Sequence, residues 1–199
     1  MDKHDISQIS EIMNEIQKII NNNEDRIKKI IIVETTDAMV SIVEDNSNLT
    51  NLVFIDANFL FLPVQFKINI YDGIRELLEG DIYFIISEEI LKEIIKKQNT
   101  VGSPKFKIES NTSIKILINR IKDKRDNFII FKGERKSYSV AVDDYILIKI
   151  GELKQRLKGK GLNRIEVFLA TNDKVLKKKA RKKEINIIYM REKKKLGIL

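Results

Sequence analysis

The chain has 199 residues, 43% hydrophobic and 33% charged, with a formal net charge of +8. That length fits one domain with a proper core and room for an appendage, and the mix is that of a soluble globular protein. Cysteine is absent and the single histidine, His4, stands near the N-terminus. Disulfides, thiolate metal sites, cysteine nucleophiles and histidine-based triads are therefore excluded.

The opening Asp2-Lys3-His4-Asp5 has no apolar stretch behind it, so no secretory signal is expected. The longest apolar runs, such as Ile30-Ile31-Ile32-Val33, fall far short of the ~20 residues a membrane helix needs. A cytoplasmic protein with no membrane partner is the expectation. Residues 6–20 place isoleucines and Met13 at three- and four-residue steps, which predicts an amphipathic helix, ended by Asn21-Asn22-Asn23. A second helix is expected from about Glu24 to Val43, with a strand as the alternative around Ile30 to Val33 and Thr35-Thr36. The polar run Asp45-Asn46-Ser47-Asn48 reads as a linker. The expected division is a mainly helical N-terminal extension over residues 1–46 and a main domain over 47–199. The extension would pack on the main domain or on a second copy of the chain.

From Leu52 onward, apolar runs alternate with helical patterns. Strands are expected at 51–56, 82–87, 127–131, 165–170 and 186–190, with helices near 70–79, 88–98, 111–124, 143–157 and 173–183. Continuously apolar strands separated by helices imply a parallel α/β sheet covered on both faces. Two polar, basic loops interrupt this rhythm, Gln98 to Ile108 and Lys132 to Val142.

Ligands of an open parallel sheet bind beyond the carboxyl ends of its strands, and four segments deliver acids to that rim. Asp56 ends the first strand of the main domain. Glu93 lies about a turn and a half into the helix after the second. Asp143-Asp144 follow the third strand and its loop, and Asp173 follows the fourth. Carboxylates so grouped repel one another unless a cation sits between them. With no thiolate or internal imidazole available, oxygen ligation favours Mg²⁺ or Mn²⁺. Two such ions ~4 Å apart would activate a water and stabilise the leaving oxygen in a phosphodiester displacement. Plainer roles exist. Asp173 and Asp143 or Asp144 could be helix N-caps, and Glu93, among Lys92, Lys96 and Lys97, could be an exposed helix acid. Asp56 resists such a reading, because an acid ending a buried strand is costly unless used. Neither G-x-x-x-x-G-K-[ST] nor G-x-G-x-x-G occurs, and Asp56-Ala57-Asn58 is not the D-x-D pair of haloacid-dehalogenase-like phosphatases.

The segment Ile55-Asp56-Ala57-Asn58-Phe59-Leu60-Phe61-Leu62-Pro63-Val64-Gln65-Phe66-Lys67 resembles the opening of PIN-domain nucleases, particularly their archaeal branch. Three further segments agree in order and spacing: Ser87 to Glu93, Val142-Asp143-Asp144-Tyr145-Ile146, and Ala170-Thr171-Asn172-Asp173-Lys174-Val175-Leu176 followed by Ile187 to Arg191. The likeness spans about residues 50–195. It implies a three-layer α/β/α sandwich with a mostly parallel central sheet, and a metal-dependent endoribonuclease acting on single-stranded RNA. By position, Asp56, Glu93, Asp144 and Asp173 would be catalytic metal ligands, supported by Thr171 and Asn58, with Asp143 an equal candidate to Asp144. Ala57 stands where the family usually has Thr or Ser, and the motifs do not explain residues 1–46 or the Lys132–Val142 loop.

The charge is unevenly divided. Residues 1–100 carry 10 basic against 18 acidic side chains, net −8, and residues 101–199 carry 27 against 11, net +16. Under the resemblance, Lys174, Lys177, Lys178, Arg181 and Arg191 would hold RNA phosphates, while Val175, Leu176 and Ala180 form the buried side of their helix. Tyr138 and Phe106, in the two basic loops, could stack on bases. Two uses remain open: a toxin whose acidic cleft an antitoxin covers, and ribosomal RNA processing beside an assembly factor. The amphipathic 6–20 helix also makes a homodimer conceivable. The alternative from another class is a PIN-fold RNA-binding scaffold with little catalysis.

Overall fold

The computed structural model describes residues 3–21, 30–100, 103–123, 125–133 and 140–199. In chain order the elements are α1 (Lys3–Asn21), β1 (Ile30–Val33), α2 (Thr36–Val43), β2 (Thr50–Ile55), α3 (Ala57–Leu60), α4 (Leu62–Phe66), α5 (Ile70–Arg75), β3 (Asp81–Ser87) and α6 (Glu88–Thr100). There follow α7 (Pro104–Lys122), β4 (Asn127–Phe131), α8 (Val142–Gly159), β5 (Ile165–Ala170), α9 (Lys174–Lys182), β6 (Asn186–Met190), a 3₁₀ turn and β7 (Leu196–Ile198).

The strands form one seven-stranded sheet in the order β1-β4-β3-β2-β5-β6-β7. All neighbours pair in parallel except β6 and β7. Every side chain of the central strand β2 is buried, as a strand roofed by helices on both faces requires. The result is the expected three-layer α/β/α sandwich. Phe54, Phe84 and Phe128, each at most 2% exposed, fill the centre of its core.

The N-terminal region joins this sheet. Ile30–Val33, the strand alternative within the predicted second helix, pairs with Phe128–Phe131, because a β-branched run beside an open sheet edge gains a full ladder. Thr35 then caps α2 by accepting from the Ala38 N–H, and residues 22–29 lie outside those described. The apolar stripe of α1 is buried within the same chain: Ile9, Met13 and Ile16 are covered where the helix meets α6 and α7. Polar links reinforce it, Asn99 to Asp5 at 2.5 Å and Lys122 to Glu15 at 2.7 Å. The run Asp45–Asn48 is pinned rather than loose. Asn46 and Asn48 both donate to Asp81, at 2.8 and 3.2 Å, and Arg164 donates to the Asn46 carbonyl.

Helix α7 starts seven residues before the predicted 111, leaving little of the expected Gln98–Ile108 loop. Pro104 occupies its first turn, where a missing N–H costs nothing. Two of its polar residues turn their hydroxyls back onto the helix: Ser110 donates to the Phe106 carbonyl and Thr112 to that of Ile108. The sequence reading also passed over α3, α4 and the short β7.

A buried ion cluster ties α5, α7 and the start of β4. Arg120, 8% exposed, and Arg75 both pair with Asp126, 4% exposed, and with Asp72, at 2.6 and 2.7 Å respectively. Arg120→Met is expected to cost roughly 3 kcal/mol in urea unfolding, the low end for a broken buried pair because Arg75 stays beside Asp126. Adding Asp126→Leu should recover much of that loss.

Candidate active site

Ile55 lies opposite Ala170 in the β2–β5 ladder, so the residues that follow, Asp56 and Thr171, meet at the carboxyl edge of the sheet. This is also where the winding reverses. From β2 the chain steps outward through β3 to β4 and then returns to β5 on the other side. Open α/β sheets hold their ligands at such a point.

Thr171 organises the edge. Its buried hydroxyl donates to Asp56 Oδ2 at 2.8 Å and accepts from the Asp173 N–H at 3.1 Å. Asp173 Oδ1 accepts the Leu176 N–H at 2.7 Å, capping α9, so the capping role is real and occupies one of its two oxygens. Asn172 Oδ1 takes the Met190 N–H at 2.8 Å, fixing the β5–α9 turn to the end of β6. The sequence reading left out Asn172; only the N-D pair after a buried strand could have signalled it. Thr171→Val would leave Asp56 and the Asp173 N–H without their shared partner. A loss of about 1–3 kcal/mol is expected, read as a lowered urea midpoint.

Glu93 stands on α6 and pairs with Lys97 at 2.5 Å. Neighbouring Lys92 is taken up by Glu88 and Glu89 instead. Asp143 and Asp144 open α8, whose cap position is Ala141, so neither serves as the N-cap. They diverge from there. Asp144, with a side chain 45% exposed, forms an ion pair with Lys179 of α9 at 2.6 Å. Asp143 is half-buried and bears on the other acids. Burial raises its carboxyl above the usual range, and the charges of Glu93 and Asp173 raise it further, against Lys179 and Lys97. Asp56 is 2% exposed. Burial pushes its carboxyl up to about 6 despite the Thr171 hydroxyl, with Asp143 and then Glu93 adding repulsion.

Asp56, Glu93, Asp143 and Asp173 thus form one mutually repelling group of hard oxygen donors. By donor chemistry the set suits a divalent cation, whose charge would relieve the repulsion. As the side chains stand, no three His, Cys, Asp or Glu groups among the described residues are close enough together to hold an ion.

A cavity of about 520 Å³ opens beside the acids, lined by Ala57, Asn58, Phe61, Phe66, Phe106 and Asp173 among others. Asn58 is exposed on α3, and no hydrogen bond joins it to Asp56. Phe106 belongs to α7, not to a loop, and its ring lies 5.5 Å from that of Phe61. Tyr138 lies outside the described residues. The basic residues follow the neighbouring surface. Lys174, Lys177 and Arg191 line a broad groove with Tyr189 and Lys195, and Lys177 sits 5.1 Å from the Tyr189 ring centre. Lys178 and Arg181 are exposed on α9. Leu176 and Ala180 are buried as expected, whereas Val175 is 62% exposed, because the nine-residue helix has a seat for only two of its apolar side chains. A separate cavity of about 420 Å³ lies against Tyr71 and Arg120 and shares no residue with the acids.

A buried strand-end aspartate at the switch point of a three-layer sheet, with further acids from three other elements, is what the sequence resemblance to PIN-domain nucleases leads one to expect. Residues 53–167 match the family described as PIN like domain, more than half of the chain, and the chain belongs to that family. The matched stretch contains Asp56, Glu93, Asp143 and Asp144 and ends before Asp173. Among solved structures the chain resembles that of the PIN domain endonuclease Utp24, with 23% identity over 74% of this chain and 90% of that one, and a TM-score of 0.44. No curated protein matches the chain. No helix among the described residues is long and apolar enough to cross a membrane.

Proposed function

We propose that this protein is an endoribonuclease that cleaves single-stranded RNA with Mg²⁺ or Mn²⁺ held by Asp56, Glu93, Asp143 and Asp173. The observation that supports it is Asp56: a carboxylate 2% exposed at a strand end, raised to about 6 and beset by other acids, is costly unless a cation uses it. The bound metal would supply charge stabilisation and an activated water at the phosphodiester. Thr171 orients Asp56, and the second oxygen of Asp173 stays available while the first caps α9. Lys174, Lys177, Lys178, Arg181 and Arg191 supply phosphate affinity without reading sequence.

The protein is expected to cut a labelled, largely unstructured RNA in Mn²⁺ or Mg²⁺ and to stop when EDTA is added. A denaturing gel reads the result. One observation favours a second reading, a PIN-fold RNA-binding scaffold: the absence of a ready three-acid cage among the described residues. Persistent binding without cleavage under any divalent ion would select the scaffold.

A further inference from the structure

We infer that the cavity beside the acids is a nucleobase subsite, in which Phe66, backed by Phe106 and the buried Phe61, receives the base of a nucleotide next to the scissile phosphate. The inference rests on the endoribonuclease reading for the placing of that phosphate. Phe66 is 36% exposed at the end of α4 and stands outside the hydrophobic core, so the fold does not account for it. It shares the cavity wall with Phe61 and Phe106, whose rings pack at 5.5 Å with a 39° tilt. At about 520 Å³ the cavity is large enough for a base.

Its surroundings define what would enter. The cavity begins at Ala57, the residue after Asp56, and its lining includes Asp173. A nucleotide with its phosphate at the acids therefore has its base within reach of the aromatic wall. Asn58 and Lys174, both exposed at the same cavity, offer an amide to a base edge and a cation to the next phosphate. An apolar peptide side chain would use neither. Rings stack on any base because each has a π-face, so the subsite would favour unpaired nucleotides over paired ones without imposing a sequence.

Fluorescence anisotropy in EDTA tests this without cleavage, comparing labelled dodecauridylate with a ribose-phosphate chain of equal length that carries no bases. The two have the same charge, so the lysines and arginines contribute equally to both. The wild type is expected to bind the base-bearing strand roughly tenfold tighter. Phe66→Ala should bring the two within about twofold of each other with an unchanged unfolding midpoint, and Phe66→Tyr should keep the preference. Equal binding of both strands by the wild type, or binding of neither, overturns the subsite and leaves the cavity to an apolar protein segment. So does a preference that survives Phe66→Ala. The two readings fail separately: cleavage without base preference removes only the subsite, and base preference without cleavage under any divalent ion removes only the nuclease.

Discussion

Replacing Asp56 by asparagine is expected to abolish RNA cleavage and, in the same protein, to raise stability at pH 7. The loss follows from the proposed role. A ligand that fixes a metal on the transferring phosphate contributes several kcal/mol, so removal should slow cleavage at least ~100-fold. The gain in stability follows from burial. The Asp56 carboxyl is raised from its ordinary 3.8 to about 6, so the folded state holds the proton more tightly than the unfolded chain. The contribution of this side chain to stability is then most favourable below pH 4, falls as pH rises from about 4 to 6, and stays reduced above that. At 1.36 kcal/mol per pH unit, the ionised side chain costs roughly 3 kcal/mol at pH 7 in the absence of metal. Asparagine has no such cost and still offers Thr171 an acceptor. Urea unfolding at pH 4 and pH 7 should show the variant ahead only at pH 7. Saturating Mn²⁺ should close the gap by stabilising the wild type alone. Equal stability of the two proteins at both pH values would mean that Asp56 is not held as a strained acid.

The adjacent aspartates of α8 are expected to separate sharply. Asp143→Asn should slow cleavage at least ~100-fold, like the loss of any other inward ligand. Asp144→Asn should leave cleavage within a few-fold, because its loss breaks only a half-exposed pair with Lys179, of a kind that contributes little. Single-turnover rates at saturating Mn²⁺ make the comparison, and melting curves exclude misfolding. The reverse ranking would place Asp144 among the metal ligands and make Lys179 its partner only in the metal-free state.

The pairing of these two residues shows where a sequence stops informing. Asp143 and Asp144 both sit in the first turn of one helix, and their neighbours in the chain do not distinguish them. The distinction lies in which way α8 is turned on the sheet, set by Tyr145, Ile146 and Ile150 packing inward, and in Lys179 arriving from α9. Helix α7 was obscured for a local reason, since Pro104 signals a loop by composition and stands instead in the helix's first turn. Strand β1 was ambiguous because an isolated apolar tetrapeptide fits a buried helix or a strand equally well. Its partner, β4, lies almost a hundred residues away.

Other features needed no structure. Five of the seven strands, β2 to β6, are built on apolar runs, so their parallel arrangement and the acids that follow them could be read from period and position alone. The absence of cysteine and of internal histidine confined any metal to oxygen ligands. What folding alone decided was proximity. The register that sets Ile55 against Ala170 brings Asp56 onto Thr171, and the switch-point winding brings Glu93 and Asp143 to bear on the same carboxylate. The cavity with Phe61, Phe66 and Phe106 forms only because α3 and α4 turn back against α7. Those are distances between segments remote in the chain, and no local propensity encodes them.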